Sequence, residues 1–184
     1  MILSPPLILI LGGARSGKSA YAETLAGQLG RRVLYIATAE AKDQEMAERI
    51  TAHRQARPPE WDTLEAPQHV ATALATLDTR PDAILLDCLT LLVSNLMLAQ
   101  EGEPPDVIET AVLAEIEAIL AAQVEKAALL IVVSNEVGLG VVPSSRLGRL
   151  YRDLLGRANQ QLAARADQVI FMVAGLPLTV KGSP

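Results

Sequence analysis

Gly12-Gly13-Ala14-Arg15-Ser16-Gly17-Lys18-Ser19 is a glycine, four residues and then Gly-Lys-Ser, and it directly follows the apolar run Leu7 to Leu11. Glycines let backbone N–H groups turn inward around phosphate oxygens, and a helix opening at Lys18 adds its N-terminal partial positive charge at the same point. Lys18 is then expected to reach the outer phosphates, and Ser19 to place its hydroxyl on Mg²⁺. A chance glycine turn is the alternative. The strand before the loop and the helix after it favour nucleotide binding, and with it an α/β chain in a three-layer P-loop nucleotide-binding fold, its mainly parallel central sheet flanked by helices.

Outward from the loop, short apolar runs alternate with longer amphipathic ones. Strands are expected at Leu7 to Leu11, Val33 to Thr38, Ala83 to Asp87, Leu129 to Ser134 and Gln168 to Val173, all near-continuous in Val, Ile and Leu as befits strands covered on both faces. Trp61 to Pro67 is read as a possible further short strand. Helices are expected at Lys18 to Leu29, Asp43 to Arg57, Val70 to Leu77, Leu89 to Gln100, Val107 to Lys126 and Arg146 to Ala166. Within the fifth, Ile108, Val112, Ile116, Ile119 and Leu120 share a core-facing stripe, and the acidic residues between Glu101 and Glu125 read as solvated surface. At 184 residues, with no linker or repeat, a single domain over residues 1–184 is expected.

Composition narrows the function. A formal net charge of -5 and 3% aromatic residues argue against nucleic-acid binding, which uses basic surfaces and stacking platforms. Cys88 stands alone, so neither a disulfide framework nor a cysteine zinc site is expected. No run is long enough for a membrane span and none resembles a signal peptide, so a cytoplasmic protein is expected. The guanine-reading Asn-Lys-x-Asp pattern is absent, which sets aside the usual regulatory GTPases.

A magnesium site beside a phosphate loop needs a carboxylate at the end of another strand, and Asp87 follows Ala83-Ile84-Leu85-Leu86 in that position. It could equally cap the next helix. In the second helix His53 lies close to the stripe of Met46 and Ile50, and is expected to face inward or toward a cleft, either as a hydrogen-bonded core histidine or as a nucleophile. His69 reads as surface. Arg146, Arg149 and Arg157, with Asp153 between them, form either a salt-bridged face, an anion-binding face or a subunit contact. Asn135 and Glu136, after a strand, are candidate substrate or metal contacts.

Taken together, these stretches resemble the bifunctional adenosylcobinamide kinase/adenosylcobinamide-phosphate guanylyltransferase family of cobalamin biosynthesis. The resemblance runs through Gly12 to Ser19, Tyr35-Ile36-Ala37-Thr38, Asp43 through Arg57, Trp61 through Glu65, Asn135-Glu136-Val137-Gly138, Val142-Pro143, Arg152-Asp153, Gly156-Arg157 and Asn159-Gln160. It implies phosphorylation of adenosylcobinamide from ATP or GTP, then transfer of GMP from GTP through a histidine to adenosylcobinamide phosphate. By position it makes His53 the nucleophile beside catalytic Lys18. Nucleotide contacts would be Gly12, Gly13, Ala14, Arg15, Ser16, Gly17, Lys18, Ser19, Ala37, Thr38, Ala39, Arg54, Gln55, Ala56, Arg57, Glu65 and Asp87, with Ser19 and Asp87 at Mg²⁺. A homotrimer is implied as well. Some relatives carry two adjacent histidines where this chain has Ala52-His53, and some carry glutamate at the position of Asp87. The competing expectations are a P-loop small-molecule kinase of another pathway, which would tolerate loss of His53, and a non-catalytic nucleotide-binding module.

Overall fold

The apolar runs become the strands of one seven-stranded sheet in a computed structural model that describes residues 5–183 except residue 42, with the backbone alone described at Glu45, Arg49 and Ala56. In chain order the elements are β1 (Leu7–Gly12), α1 (Lys18–Leu29), β2 (Val33–Ala37), α2 (Gln44–Ala56), β3 (Asp62–Glu65), α3 (Val70–Ala75), β4 (Ala83–Asp87), α4 (Leu89–Ala99), α5 (Pro105–Lys126), β5 (Leu129–Val133), α6 (Arg146–Arg165), β6 (Gln168–Val173) and β7 (Leu176–Lys181). The strand order is β3-β2-β4-β5-β1-β6-β7, parallel except for β7. β1 therefore sits between β5 and β6, and its carboxyl end opens where connections leave in opposite directions, the crevice in which open α/β sheets bind ligands.

Alternate residues of each strand feed two cores. Leu9, Ile36, Leu86 and Leu130 face α3 to α6, whereas Ile8, Ile10, Tyr35, Leu85 and Ile131 face α1. Ala22 and Ala26 let α1 lie close to the sheet. The stripe expected on α5 is buried at all five positions. The acidic face of α5 is more than solvated surface: Glu117 pairs with Arg165 at 2.9 Å, Glu109 with Arg157, and Glu115 accepts from the Ala71 N–H at 3.0 Å.

Of the arginine face, Arg157 is salt-bridged, though to α5 rather than to Asp153. Arg157 turns to α5, Arg149 donates to the carbonyls of Pro143 and Ser144 at 3.0 and 2.7 Å, and Asp153 pairs with its neighbour Arg152 at 3.4 Å. Asp153 thus bridges neither Arg149 nor Arg157 across a turn, because better partners lie on other elements.

β7 was not expected. It pairs antiparallel with β6 through a two-residue turn, Ala174-Gly175, with φ of 50° and 82°. Pro177 argues against a central strand but is tolerated on an edge, and an alanine in the left-handed region hides the hairpin signal. β3, on the opposite edge, is short and largely exposed, with the sequence Asp62-Thr63-Leu64-Glu65. No helix among the described residues is long and apolar enough to cross a membrane.

Candidate active site

The loop between β1 and α1 takes its shape from close packing. Gly12 has φ 153°, and a Cβ there would lie 2.6 Å from the Met172 carbonyl oxygen; Gly17 has φ 94°, where a Cβ would lie 3.2 Å from Gly175 Cα. The Gly175 N–H donates to the Ser16 carbonyl at 3.0 Å, so the turn between β6 and β7 braces the loop. Lys18 Nζ donates to the Gly13 carbonyl at 2.6 Å. Burial pulls this ammonium below the usual lysine range, against the opposing influence of Cys88 and Asp87. Ser16 Oγ is buried without a hydrogen-bond partner among the described residues, an orphan that a phosphate oxygen would satisfy.

Asp87 closes β4 beside that loop. Its Oδ2 accepts from the Tyr35 hydroxyl at 2.8 Å, and the helix-capping position falls to Cys88, which makes no side-chain cap. Burial and the Asp87 charge push the Cys88 thiol up to about 11, so it stays protonated and is a poor nucleophile near neutral pH. Thr38, fully buried, donates from its hydroxyl to the Cys88 carbonyl at 2.7 Å and accepts from the Cys88 N–H at 2.8 Å. The Asn95 amide donates to the Thr38 and Pro67 carbonyls at 2.9 and 3.0 Å. This network ties the ends of β2 and β4 together. A hard cation fits the donor set: Ser19 and Asp87 both line the cleft and offer oxygen, and magnesium beside nucleotides commonly takes one or two protein oxygens plus phosphate and water.

No described side chain of α2 belongs to either buried core, and the helix is held by polar contacts instead. Asp43 caps it, its carboxylate accepting from the Met46 N–H at 2.7 Å. Arg54 pairs with Glu65 of β3, and the Arg57 guanidinium lies 3.4 Å above the centre of the Tyr35 ring. Arg57 Nε and Nη1 are buried with no hydrogen-bond partner among the described residues. His53 is exposed rather than inward-facing, yet it lines the cleft. Of the two expected directions it takes the one toward a cleft, as do Met46 and Ile50 of the same stripe, which face the cleft instead of a core. Glu23, one turn beyond Ser19 on α1, completes the group. Burial and the nearby Asp87 raise its carboxyl above the usual range, while His53 and Arg57 pull the other way.

The resulting cleft is open and measures about 1040 Å³. Its wall includes Ala14, Arg15, Ser16, Gly17, Lys18 and Ser19 of the loop, Ala37, Ala39, His53, Arg54, Arg57, Glu65 and Asp87. Among the other expected residues, Gly12 and Gly13 shape the loop from behind, Thr38 spends its side chain on Cys88, and Gln55 is exposed outside the wall. Asn135 reaches this cleft; Glu136 lines a second, smaller one of about 530 Å³ beside Arg152 and Arg157. His69 is exposed, as expected. Sequence reasoning missed the roles of Tyr35 and Glu23. The period-2 placement of Tyr35 opposite the loop's helix and the four-residue step from Ser19 to Glu23 were the available signals.

The family model described as "Cobinamide kinase / cobinamide phosphate guanyltransferase" matches residues 8–180. The chain is 46% identical over 182 residues to the "Bifunctional adenosylcobalamin biosynthesis protein CobU" of Escherichia coli (strain K12), covering 95% of this chain and 99% of that one. It is 47% identical over 182 residues to the protein of the same name from Salmonella typhimurium, with the same coverage, and 47% identical over 176 residues to the "Bifunctional adenosylcobalamin biosynthesis protein CobP" of Pseudomonas aeruginosa, covering 96% and 98%. Among solved structures, the RadB recombinase superposes with a TM-score of 0.52 at 14% identity, covering 91% of this chain and 74% of that one. A KaiC-like protein from Pyrococcus horikoshii gives 0.50 at 11%, covering 91% and 71%. At those identities the likeness extends to the fold alone.

Proposed function

Because the chain belongs to the cobinamide kinase and cobinamide phosphate guanyltransferase family, we propose that this cleft serves two successive reactions of adenosylcobalamin biosynthesis. In the first, the terminal hydroxyl of adenosylcobinamide attacks the γ-phosphorus of ATP or GTP; the bond to the β-phosphate oxygen breaks and the nucleoside diphosphate leaves. In the second, a His53 nitrogen attacks the α-phosphorus of GTP. An N–P bond forms, pyrophosphate leaves with the electron pair, and the GMP passes to a phosphate oxygen of adenosylcobinamide phosphate, giving adenosylcobinamide-GDP and freeing His53.

The observation that carries this reading is the meeting of two kinds of chemistry on one cleft wall, a phosphate loop with Lys18 and Ser19 and, facing it from α2, His53. In the transfer Lys18 leaves the Gly13 carbonyl for the outer phosphates, and the loop N–H groups and Ser16 receive their oxygens. Mg²⁺, held by Ser19 and Asp87, would neutralise charge on the phosphates. Arg54, Arg57, Glu65, Ala37 and Ala39 form the remaining nucleotide wall. The whole is carried by a single domain of residues 1–184 working in the cytoplasm, where ATP and GTP are supplied, with no nucleic-acid or membrane partner. A homotrimer is supported by exposed apolar side chains in two places, Leu139, Val141 and Val142 after β5, and Leu176, Leu178 and Val180 on β7.

The test is incubation with Mg²⁺ and GTP labelled at the α- or the γ-phosphate. Acid-labile protein-bound label from the α-position alone, absent in His53→Ala, is the expected outcome. Normal nucleotide binding with no trapped label would reduce the chain to a kinase or a binding module.

A further inference from the structure

Tyr35 is 2% exposed, yet both of its polar faces are engaged, one by each half of the cleft. Its hydroxyl donates to Asp87 Oδ2 at 2.8 Å, at the end of β4. Its ring carries the Arg57 guanidinium at 3.4 Å, and Arg57 lies one helical turn beyond His53. A guanidinium offers five N–H donors in a rigid plane. Here Nε and Nη1 are buried and unpartnered among the described residues, so the stack holds donors that no described residue uses, on the wall that also bears His53. Unused buried donors are costly unless a ligand satisfies them. An anion arriving between Arg57 and His53, such as the phosphate to be attacked, would do so.

We propose that Tyr35 is the positioning residue shared by the two reactions: its hydroxyl fixes the Asp87 carboxylate for the cation, and its ring fixes Arg57 so that the free N–H groups meet the phosphate attacked by His53. This rests on the guanylyl-transfer reading of the cleft. The two functions separate by substitution. Phenylalanine keeps the ring and loses the hydroxyl; leucine loses both.

The experiment measures, at temperatures below each variant's melting point, the kinase rate and the rate of His53 labelling from α-labelled GTP, each as a function of Mg²⁺. Tyr35→Phe should raise the Mg²⁺ needed for half-maximal rate in both reactions several-fold, with both rates recovering at high Mg²⁺. Tyr35→Leu should in addition slow labelling at saturating Mg²⁺ and GTP by roughly 10- to 100-fold, the size expected when a charge-stabilising donor or the reacting geometry is lost, while its kinase rate recovers as in Tyr35→Phe. Arg57→Met, which leaves the buried tyrosine in place, should slow labelling at saturating GTP to the same degree as Tyr35→Leu, and the double variant Tyr35→Leu/Arg57→Met should label no more slowly than either single one. Equal behaviour of the Phe and Leu variants, losses that multiply in the double variant, or an unchanged Mg²⁺ requirement in Tyr35→Phe would each overturn the proposal. Wild-type protein that takes no label would overturn the guanylyl-transfer reading first, and this proposal with it. Labelled wild type with indifferent Tyr35 variants would sink Tyr35 alone.

Discussion

A methyl group at Gly12 would press on the Met172 carbonyl at 2.6 Å, from a backbone angle that side chains avoid. Gly12→Ala is therefore expected to cost about 1–3 kcal/mol and to lower the melting temperature by roughly 2–4 °C per kcal/mol, besides weakening nucleotide binding. Glu23 gives the opposite sign. Its folded carboxyl is held above the ordinary range, so its contribution to stability is present below the unfolded pKa and is lost as pH rises through the folded one. Glu23→Gln, neutral throughout, should melt higher than wild type at pH 7 without nucleotide, with the difference vanishing in acid. A lower melting point at pH 7 would mean that Arg57 and His53 hold the carboxylate more strongly than burial opposes it. At this scale the sequence declared the loop, Lys18 and Asp87, because each follows an apolar strand. His53 was expected to face inward or toward a cleft, and it lines the cleft. Tyr35 and Glu23 stayed hidden, since their meaning comes from neighbours 52 and 64 positions away, Asp87 in each case.

Among the elements, α2 depends on its ends. None of its described side chains joins either buried core, so the Arg54–Glu65 pair and the Arg57–Tyr35 stack carry its attachment while the Asp43 cap holds its first turn. Asp43→Ala should remove about 1 kcal/mol from this helix. The loss should appear as faster amide exchange in its first turns and slower labelling of His53, with little change in the global melting temperature. The apolar period made five strands and six helices legible to within a few residues. The hairpin strand β7 escaped because Pro177 breaks its pattern and Ala174-Gly175 lacks the usual turn residues. The arginine face of α6 was legible only as alternatives for a related reason: intrahelical spacing is visible in a sequence, while Glu109 on α5, the partner of Arg157, is not.

For the whole molecule, apolar exposure is concentrated: Leu139, Val141, Leu176, Leu178 and Val180 are among its most exposed large hydrophobic side chains. If these cover one another in a trimer, Leu178→Lys should shift sedimentation toward monomer at micromolar concentration while leaving the fold intact, and a variant that sediments unchanged would remove this face from the contact. The two margins of the sheet are unlike. β7 is apolar, whereas β3 presents Asp62-Thr63-Leu64-Glu65 on four residues of largely exposed strand. Strand-by-strand extension past β3 would bring a neighbour's backbone alongside Asp62 and would have to displace Arg54 from Glu65. The β3 margin thus resists strand addition, whereas the exposed leucines and valine of β7 leave the other margin apolar. A chain so built could associate through one margin without lengthening its sheet at the other.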